Sequence, residues 1–245
     1  MPSNSTTNYE DRSFIIATGN PGKRREFEKL LADFLDPRWK VYDRRSFPQP
    51  LQEVEETGAS FRENAVIKAM ETAQATGCGV LSDDSGLEVD ALGGKPGIHS
   101  ARFAGESATD EENNRLLVER LRDVPAAERR ARFVAVVCLA LPNNRVGRAL
   151  LARSGVVYDE VDSAAPRAPE ELVRIGELVL IWFRGTLEGL IVDEPAGEHG
   201  FGYDPHFFVP SQGKTLAEMD GEEKNRISHR ATAVRKMVEF FDSVR

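Results

Sequence analysis

A mixed α/β sheet is the fold class this 245-residue chain predicts, on three observations. Strand-like apolar runs alternate with segments of helical period, the run from Arg132 to Leu141 is apolar enough for a central strand covered on both faces, and helix-capping residues stand at the joins. With 40% apolar and 29% charged residues, the chain can bury one sizeable core or two modest lobes.

In chain order, Met1 to Arg12 are polar and precede the first strand-like run, so a disordered tail is expected there, with one domain over 13–245. Ser13-Phe14-Ile15-Ile16-Ala17 reads as a buried strand. The turn Thr18-Gly19-Asn20-Pro21-Gly22-Lys23 follows, then a helix with Phe27, Leu30, Leu31, Phe34 and Leu35 on one face. Asn20 can cap that helix, and Pro21 suits its first position, where a missing N–H costs nothing. A second helix opens at Ser60, with Glu63 completing a capping box. It carries an apolar stripe of Val66, Ala69, Met70 and Ala73 and stops at Gly77.

Gly79-Val80-Leu81 then predicts a short strand, Ser82-Asp83-Asp84-Ser85-Gly86 a tight acidic turn, Leu87 to Leu92 another strand, and Gly93 to Gly105 an irregular segment. Thr109 with Glu112 opens a further helix whose Leu116, Leu117 and Leu121 face inward. Beyond the central strand, Val146 to Leu151 and Gly155 to Tyr158 have strand character inside an exposed excursion at about 143–177. Leu178 to Arg184 and Leu190 to Val192 read as a hairpin around Gly185 to Gly189. A helix from about Gly221 closes the chain, with Ile227, Ala231, Val234, Val238 and Phe241 as its apolar seam.

The formal charge of −8 argues against a broad nucleic-acid surface, because phosphate backbones are held mainly by excess Lys and Arg. The longest apolar runs fall below half of the roughly 20 residues a membrane helix needs, and no export signal is visible, so a cytoplasmic protein is expected. Cys78 and Cys138 have neither metal nor redox spacing and read as small core residues.

Five segments offer chemistry. Asp83-Asp84 can hold a hard cation or take a proton from water, although Asp-Asp-Ser-Gly is by itself commonly a solvated turn. Thr18 to Lys23 puts hydroxyl, amide and ammonium groups at a helix N-terminus, which favours anions; the dull alternative is an ordinary strand-to-helix turn. Phe201-Gly202-Tyr203-Asp204-Pro205 places aromatics on a glycine-permitted loop, either to stack on a base or to pack the loop onto the core. Lys224, Ser228, His229 and Arg230 start the last helix. On one regular helix they fan out, with Lys224 about 140° from His229 and about 120° the other way from Arg230, which favours a solvated basic face. Glu55 and Glu56 could add an oxygen ligand to a cation at the Asp pair, or be plain surface charge.

Taken in order, Thr18 to Lys23, Glu56-Thr57-Gly58 with Phe61 and Glu63-Asn64-Ala65, Ser82 to Gly86, Pro96-Gly97 with Ser100-Ala101-Arg102, Phe201 to Pro205 and Ile227 to Arg230 strongly resemble the inosine triphosphate pyrophosphatase family, the XTP/dITP diphosphatases. The resemblance implies an elongated mixed sheet with flanking helices, two lobes around a central nucleotide cleft, and a homodimer. It implies magnesium-dependent hydrolysis of ITP, dITP and XTP to the monophosphate and pyrophosphate. By motif, Thr18, Gly19, Asn20, Pro21, Gly22 and Lys23 would bind triphosphate, Asp84 would be the general base and a metal ligand, and Glu56 a second metal ligand. Ser85 would touch substrate, Phe201, Gly202, Tyr203 and Asp204 would line the base pocket, Lys224 would contact phosphate, and His229 with Arg230 would read the purine. Magnesium would be the cofactor, a small-molecule nucleoside triphosphate the partner.

Overall fold

The computed structural model describes residues 13–32, 40–43, 45–48, 51–161 and 171–242. The expected tail, Phe34 and Leu35, and much of the segment from Ser163 to Glu171 lie outside these residues. Eight strands form one sheet: β1 (Ser13–Ala17), β2 (Lys40–Asp43), β3 (Gly79–Val89), β4 (Arg130–Pro142), β5 (Glu171–Ile175), β6 (Leu178–Ile191), β7 (Phe207–Val209) and β8 (Lys214–Thr215). Their order is β2-β1-β3-β4-β6-β7-β8, with β5 also on β6. β1 runs parallel to β2 and β3, and the remaining pairs are antiparallel, so the sheet is mixed as predicted.

Among the described residues six α-helices flank it: α1 (Pro21–Leu31), α2 (Phe61–Thr76), α3 (Asp110–Leu121), α4 (Arg145–Arg153), α5 (Gly221–Ile227) and α6 (His229–Asp242). None of the described helices is long and apolar enough to cross a membrane. α1 is capped by Asn20 with Pro21 at its start, and α3 by Thr109 in a reciprocal box with Glu112. In α3, Leu117 and Leu121 are fully buried while Leu116 is half-buried. At α2 only half of the expected box forms: Ser60 accepts from the Glu63 N–H, but the Glu63 carboxylate turns back to the Ala59 N–H. Gly77 ends α2 with φ of 69°, a left-handed conformation that glycine adopts without a Cβ penalty.

The two faces of the sheet bury different sets of side chains. Phe14, Ile16, Leu81, Val137, Leu139 and Ile181 pack with α1, α4 and α6, whereas Ile15, Val80, Val136, Cys138 and Leu180 pack with α2. This is the period-two alternation of strands covered on both sides. Both cysteines are buried and unpaired.

Several expected turns are absent because β4 is long enough to hold its neighbours straight. Ser82 to Gly86 is no turn: it lies inside β3, with Asp83 opposite Val137 and Asp84 opposite Val136. The next strand is therefore the same strand, ending at Val89 before a short 3-10 turn at Asp90–Leu92. Nor is there a hairpin at Gly185 to Gly189. β6 pairs continuously with β4 from Leu178 to Leu190. Gly185 is needed for close approach, since a Cβ there would lie 2.0 Å from the His229 carbonyl oxygen.

The stretch from Val146 to Leu151 is helical in α4, capped by Asn144, with Leu150 and Leu151 buried. Tyr158 begins a 3-10 turn rather than ending a strand. Tyr158 and Val161 are also buried, so the described part of the excursion covers the core instead of standing clear of it. The closing helix is in fact two. At Ser228 the backbone is extended (φ −62°, ψ 154°), and its hydroxyl accepts from the Ala231 N–H at 3.1 Å. A serine cap thus ends one helix and starts the next in a new direction.

Candidate active site

β1 pairs with β3 only as far as Ala17 opposite Ser82. From Asp83 onward β3 continues alone on that side until the segment at Gly97–Arg102 covers it, where Ser100 Oγ accepts from the Leu87 N–H at 2.9 Å. The gap beyond the carboxyl end of β1 is where open α/β sheets place ligands. A cleft of about 570 Å³ opens there. Thr18, Gly19, Asn20, Pro21 and Lys23, with Glu56, Asp84, Ser85, Phe201, Gly202, Tyr203, Asp204, Lys224, His229 and Arg230, all line it. Gly22 does not. It packs behind, where an added Cβ would lie 3.0 Å from the Phe201 ring.

Adjacent residues of a strand face opposite ways, which separates the two carboxylates. Asp83 points toward α1 and α6: its Oδ2 lies 3.1 Å from Lys23 Nζ and 3.4 Å from Arg230 Nε, and accepts from Ser85 Oγ at 3.0 Å. Burial would raise its pKa, but Lys23, Arg230 and Lys68 outweigh burial and hold it far below the ordinary carboxylate range. Asp84 points toward α2. Its Oδ2 accepts from Asn64 Nδ2 at 3.0 Å, and its Oδ1 faces Lys68 Nζ at 3.5 Å and the Ser85 N–H at 3.1 Å. Burial raises the Asp84 pKa, with Lys68 and Lys23 holding it down only in part. An elevated carboxylate is the better proton acceptor near neutral pH.

Lys68 joins Asp84 to Glu56, whose Oε1 lies 2.8 Å from the same ammonium. Burial opposes its charge, yet Asp84, Asp83 and Glu56 keep the Lys68 pKa raised. Two carboxylates therefore converge on one resident positive charge, a donor set of hard oxygens that also suits a divalent cation. Among the described residues no group of three or more His, Cys, Asp or Glu side chains is placed to hold a metal ion. A pair is nevertheless what magnesium typically takes from a protein when phosphate oxygens and waters complete its shell.

In the turn between β1 and α1, Asn20 Oδ1 accepts from the Gly22 and Lys23 N–H groups at 2.8 and 3.2 Å. Those two amides serve the cap, so the loop offers an anion Lys23, the Thr18 hydroxyl and the α1 dipole. Across the cleft, Lys224 Nζ sits 2.7 Å from Asp204 Oδ2 and 3.3 Å from Glu26 Oε1, while Arg230 Nη1 lies 2.8 Å from Glu26 Oε2. Both cations also lie over the Phe201 ring, at 4.8 and 5.5 Å from its centre. The break at Ser228 is what lets Lys224 and Arg230 meet Glu26 from two helices, which one straight helix would not allow.

Asp204 accepts from Lys224 and from the Phe201 N–H, and the Tyr203 hydroxyl donates to Ser100 O at 2.8 Å. These two residues hold their loop while turning an edge to the cleft. His229 differs: it is buried, stacked on Phe133 at 4.9 Å, and neither ring nitrogen has a hydrogen-bond partner among the described residues. Burial, then Arg230 and Lys224, drive its pKa well below 6.5, so the ring is neutral.

Lys68 and Glu26 escaped the sequence reading, and Asn64 entered it only within the motif Glu63-Asn64-Ala65, without a role. Lys68 shares a helical face with the buried Ala65, Ala69 and Thr72, and a lysine on a buried face is the signal that marks it. Glu26 stands one turn beyond Lys23, within i,i+3 reach of the same surface.

The family model of the Ham1 family matches residues 14–240. The chain is 43% identical to a protein of Thermus thermophilus named dITP/XTP pyrophosphatase, over 93% of this chain and 90% of that one. It is 42% identical to one of the same name from Shigella flexneri, over 92% and 95%. Among solved structures, the Ham1 protein of Staphylococcus aureus superposes with a TM-score of 0.70 at 34% identity, covering 96% of this chain and all of that one. A HAM1 protein from Coxiella burnetii gives a TM-score of 0.71 at 34% identity, covering 95% and 99%. Sequence, sheet order and cleft converge on one assignment: this chain belongs to the Ham1 family.

Proposed function

We propose that this protein is a nucleoside-triphosphate pyrophosphatase that hydrolyses dITP, ITP and XTP to the nucleoside monophosphate and pyrophosphate. The observation that carries the reading is the pairing, within one cleft, of the Asp84 carboxylate, held beside Glu56 by Lys68, with the buried His229, whose ring nitrogens have no hydrogen-bond partner among the described residues. They are well separated, because Asp84 lies opposite Val136 and Leu87 opposite Phe133, the ring beneath His229. Three residues along a strand span roughly 10 Å. The curated relatives are named dITP/XTP pyrophosphatase.

Asp84 accepts a proton from the attacking water as its oxygen bonds to the α-phosphorus. The bond from that phosphorus to the oxygen bridging the β-phosphorus breaks, and pyrophosphate leaves with the electron pair. Asp84 and Glu56 would hold magnesium, which when bound neutralises phosphate charge and acidifies water. Lys23, Lys224 and the Thr18 hydroxyl bind the phosphates, and Lys68 keeps Asp84 and Glu56 together. Phosphoryl transfer depends mainly on positioning and charge, so no covalent intermediate is required. At the base, the neutral His229 offers one N–H donor and one acceptor beside Arg230. A donor aimed at a 6-oxo group leaves groups unpaired when adenine, with a 6-amino group, occupies the site.

Phosphorus NMR of the protein with magnesium and each of dITP, ITP, XTP, ATP, GTP and dTTP tests this. The three deaminated purines should yield monophosphate and pyrophosphate. Diphosphate with orthophosphate would refute the chemistry. Asp84→Asn should lower turnover by at least about 100-fold, the usual contribution of a general base, while the variant still folds and binds nucleotide.

A further inference from the structure

Asn64 does not line the cleft, yet it touches both halves of the proposed chemistry. It stands in the first turn of α2 and is 1% exposed. Its Nδ2 donates to Asp84 Oδ2 at 3.0 Å, and its Oδ1 accepts from the backbone N–H of Gly58 at 2.8 Å, two residues beyond Glu56. A Cβ on Gly58 would lie 2.6 Å from that Oδ1, so glycine is what lets the amide reach the loop backbone. One helical turn further, Lys68 meets the other oxygen of Asp84 and the carboxylate of Glu56. A single face of α2 therefore engages both oxygens of Asp84 and anchors the loop that carries Glu56.

An amide is suited to this place because it alone joins a donor, for the carboxylate, to an acceptor, for the N–H, on one short rigid group. A carboxylate in its stead would keep the acceptor and lose the donor. We propose that Asn64 is a positioning residue for hydrolysis: it fixes the rotamer of Asp84 and, through Gly58, the spacing between Asp84 and Glu56. The inference rests on the reading of Asp84 as the base.

Asn64→Asp retains the acceptor that Gly58 uses and replaces the amide donor by a second carboxyl that must share a proton with Asp84, which takes the base out of its free ionised form. Asn64→Ser is too short for either bond. In both variants kcat for dITP should fall about 10- to 100-fold, the cost of losing a supporting partner or an ångström of alignment. KM should stay within about threefold, because no substrate contact is removed. Binding of dIMP in EDTA, followed by calorimetry, should be unchanged, a readout that needs no turnover. A folded Asn64→Asp with wild-type kcat would reduce Asn64 to a loop anchor and overturn the proposal. If that variant does not fold, Asn64→Ser decides by the same criteria, and loss of dIMP binding in step with kcat would equally overturn it. No turnover of dITP by the wild type would sink the underlying reading instead.

Discussion

Gly185 lies in the middle of β6, does not itself line the cleft, and should still govern catalysis. A Cβ at this position would sit 2.0 Å from the His229 carbonyl oxygen and 2.6 Å from the Ala233 nitrogen, both backbone atoms of the first turns of α6. Real Cβ contacts are essentially never closer than 3.0 Å, so Gly185→Ala must push α6 away by about 1 Å, and a shift of that size in a site costs on the order of 100-fold in rate. His229 and Arg230 ride on that turn. Overpacking itself should cost about 1–3 kcal/mol, or a melting temperature lower by roughly 2–12 °C for a chain of this size. Steady-state kinetics with dITP and a thermal melt, run on the same preparation, give both quantities. A variant that melts lower yet keeps wild-type kcat/KM would refute the link between this contact and the site. One that keeps both would refute the contact.

Two further variants probe charge. Lys68→Met removes a cation that holds the Asp84 pKa down, so that pKa must rise, and the acid limb of the kcat/KM profile should move to higher pH; a limb that stays put would disconnect Lys68 from the base. His229 is neutral in the fold, whereas an unfolded histidine takes a proton below about 6.5. The unfolded chain thus binds one more proton in acid, and stability attributable to His229 is lost as pH falls, by about 1.4 kcal/mol between pH 7.5 and 5.5. Urea denaturation at pH 7.5 and 5.5 should show this loss in the wild type and lack it in His229→Phe, which keeps the stack on Phe133; an equal loss in both would place the proton elsewhere.

What was legible in the sequence was what short-range chemistry dictates. Asn20 with Pro21, Thr109 with Glu112, and the apolar run of β4 each carry their own instruction, and each formed. Asp83 and Asp84 misled because Asp-Asp-Ser-Gly has turn composition, and only the presence of β4 alongside, offering Val137 and Val136 as partners, makes it a strand. Gly185 and Gly189 looked like a turn for the same reason, while their purpose is to admit the His229 backbone and the Phe207 ring. The basic cluster after Gly221 seemed to fan outward because a regular helix was assumed. Ser228, a cap that ends α5 and begins α6, reverses that inference without changing a residue. The bonds of Lys68 and Asn64 to Asp84 were invisible because that partner lies 16 and 20 residues away on another element.

The cations of the cleft are already engaged before any ligand arrives: Lys23 with Asp83, Lys224 with Asp204 and Glu26, Arg230 with Glu26 and Asp83. The site thus carries its own counterions. A triphosphate entering it exchanges partners with buried carboxylates instead of stripping mobile ions from a bare basic surface. The attraction it feels from a distance is correspondingly small, in keeping with the net charge of −8, and is gained only at contact, where hydrogen-bond geometry decides which anion is accepted. A net charge of −8 likewise weakens the long-range pull on any polyanion too broad to enter the cleft.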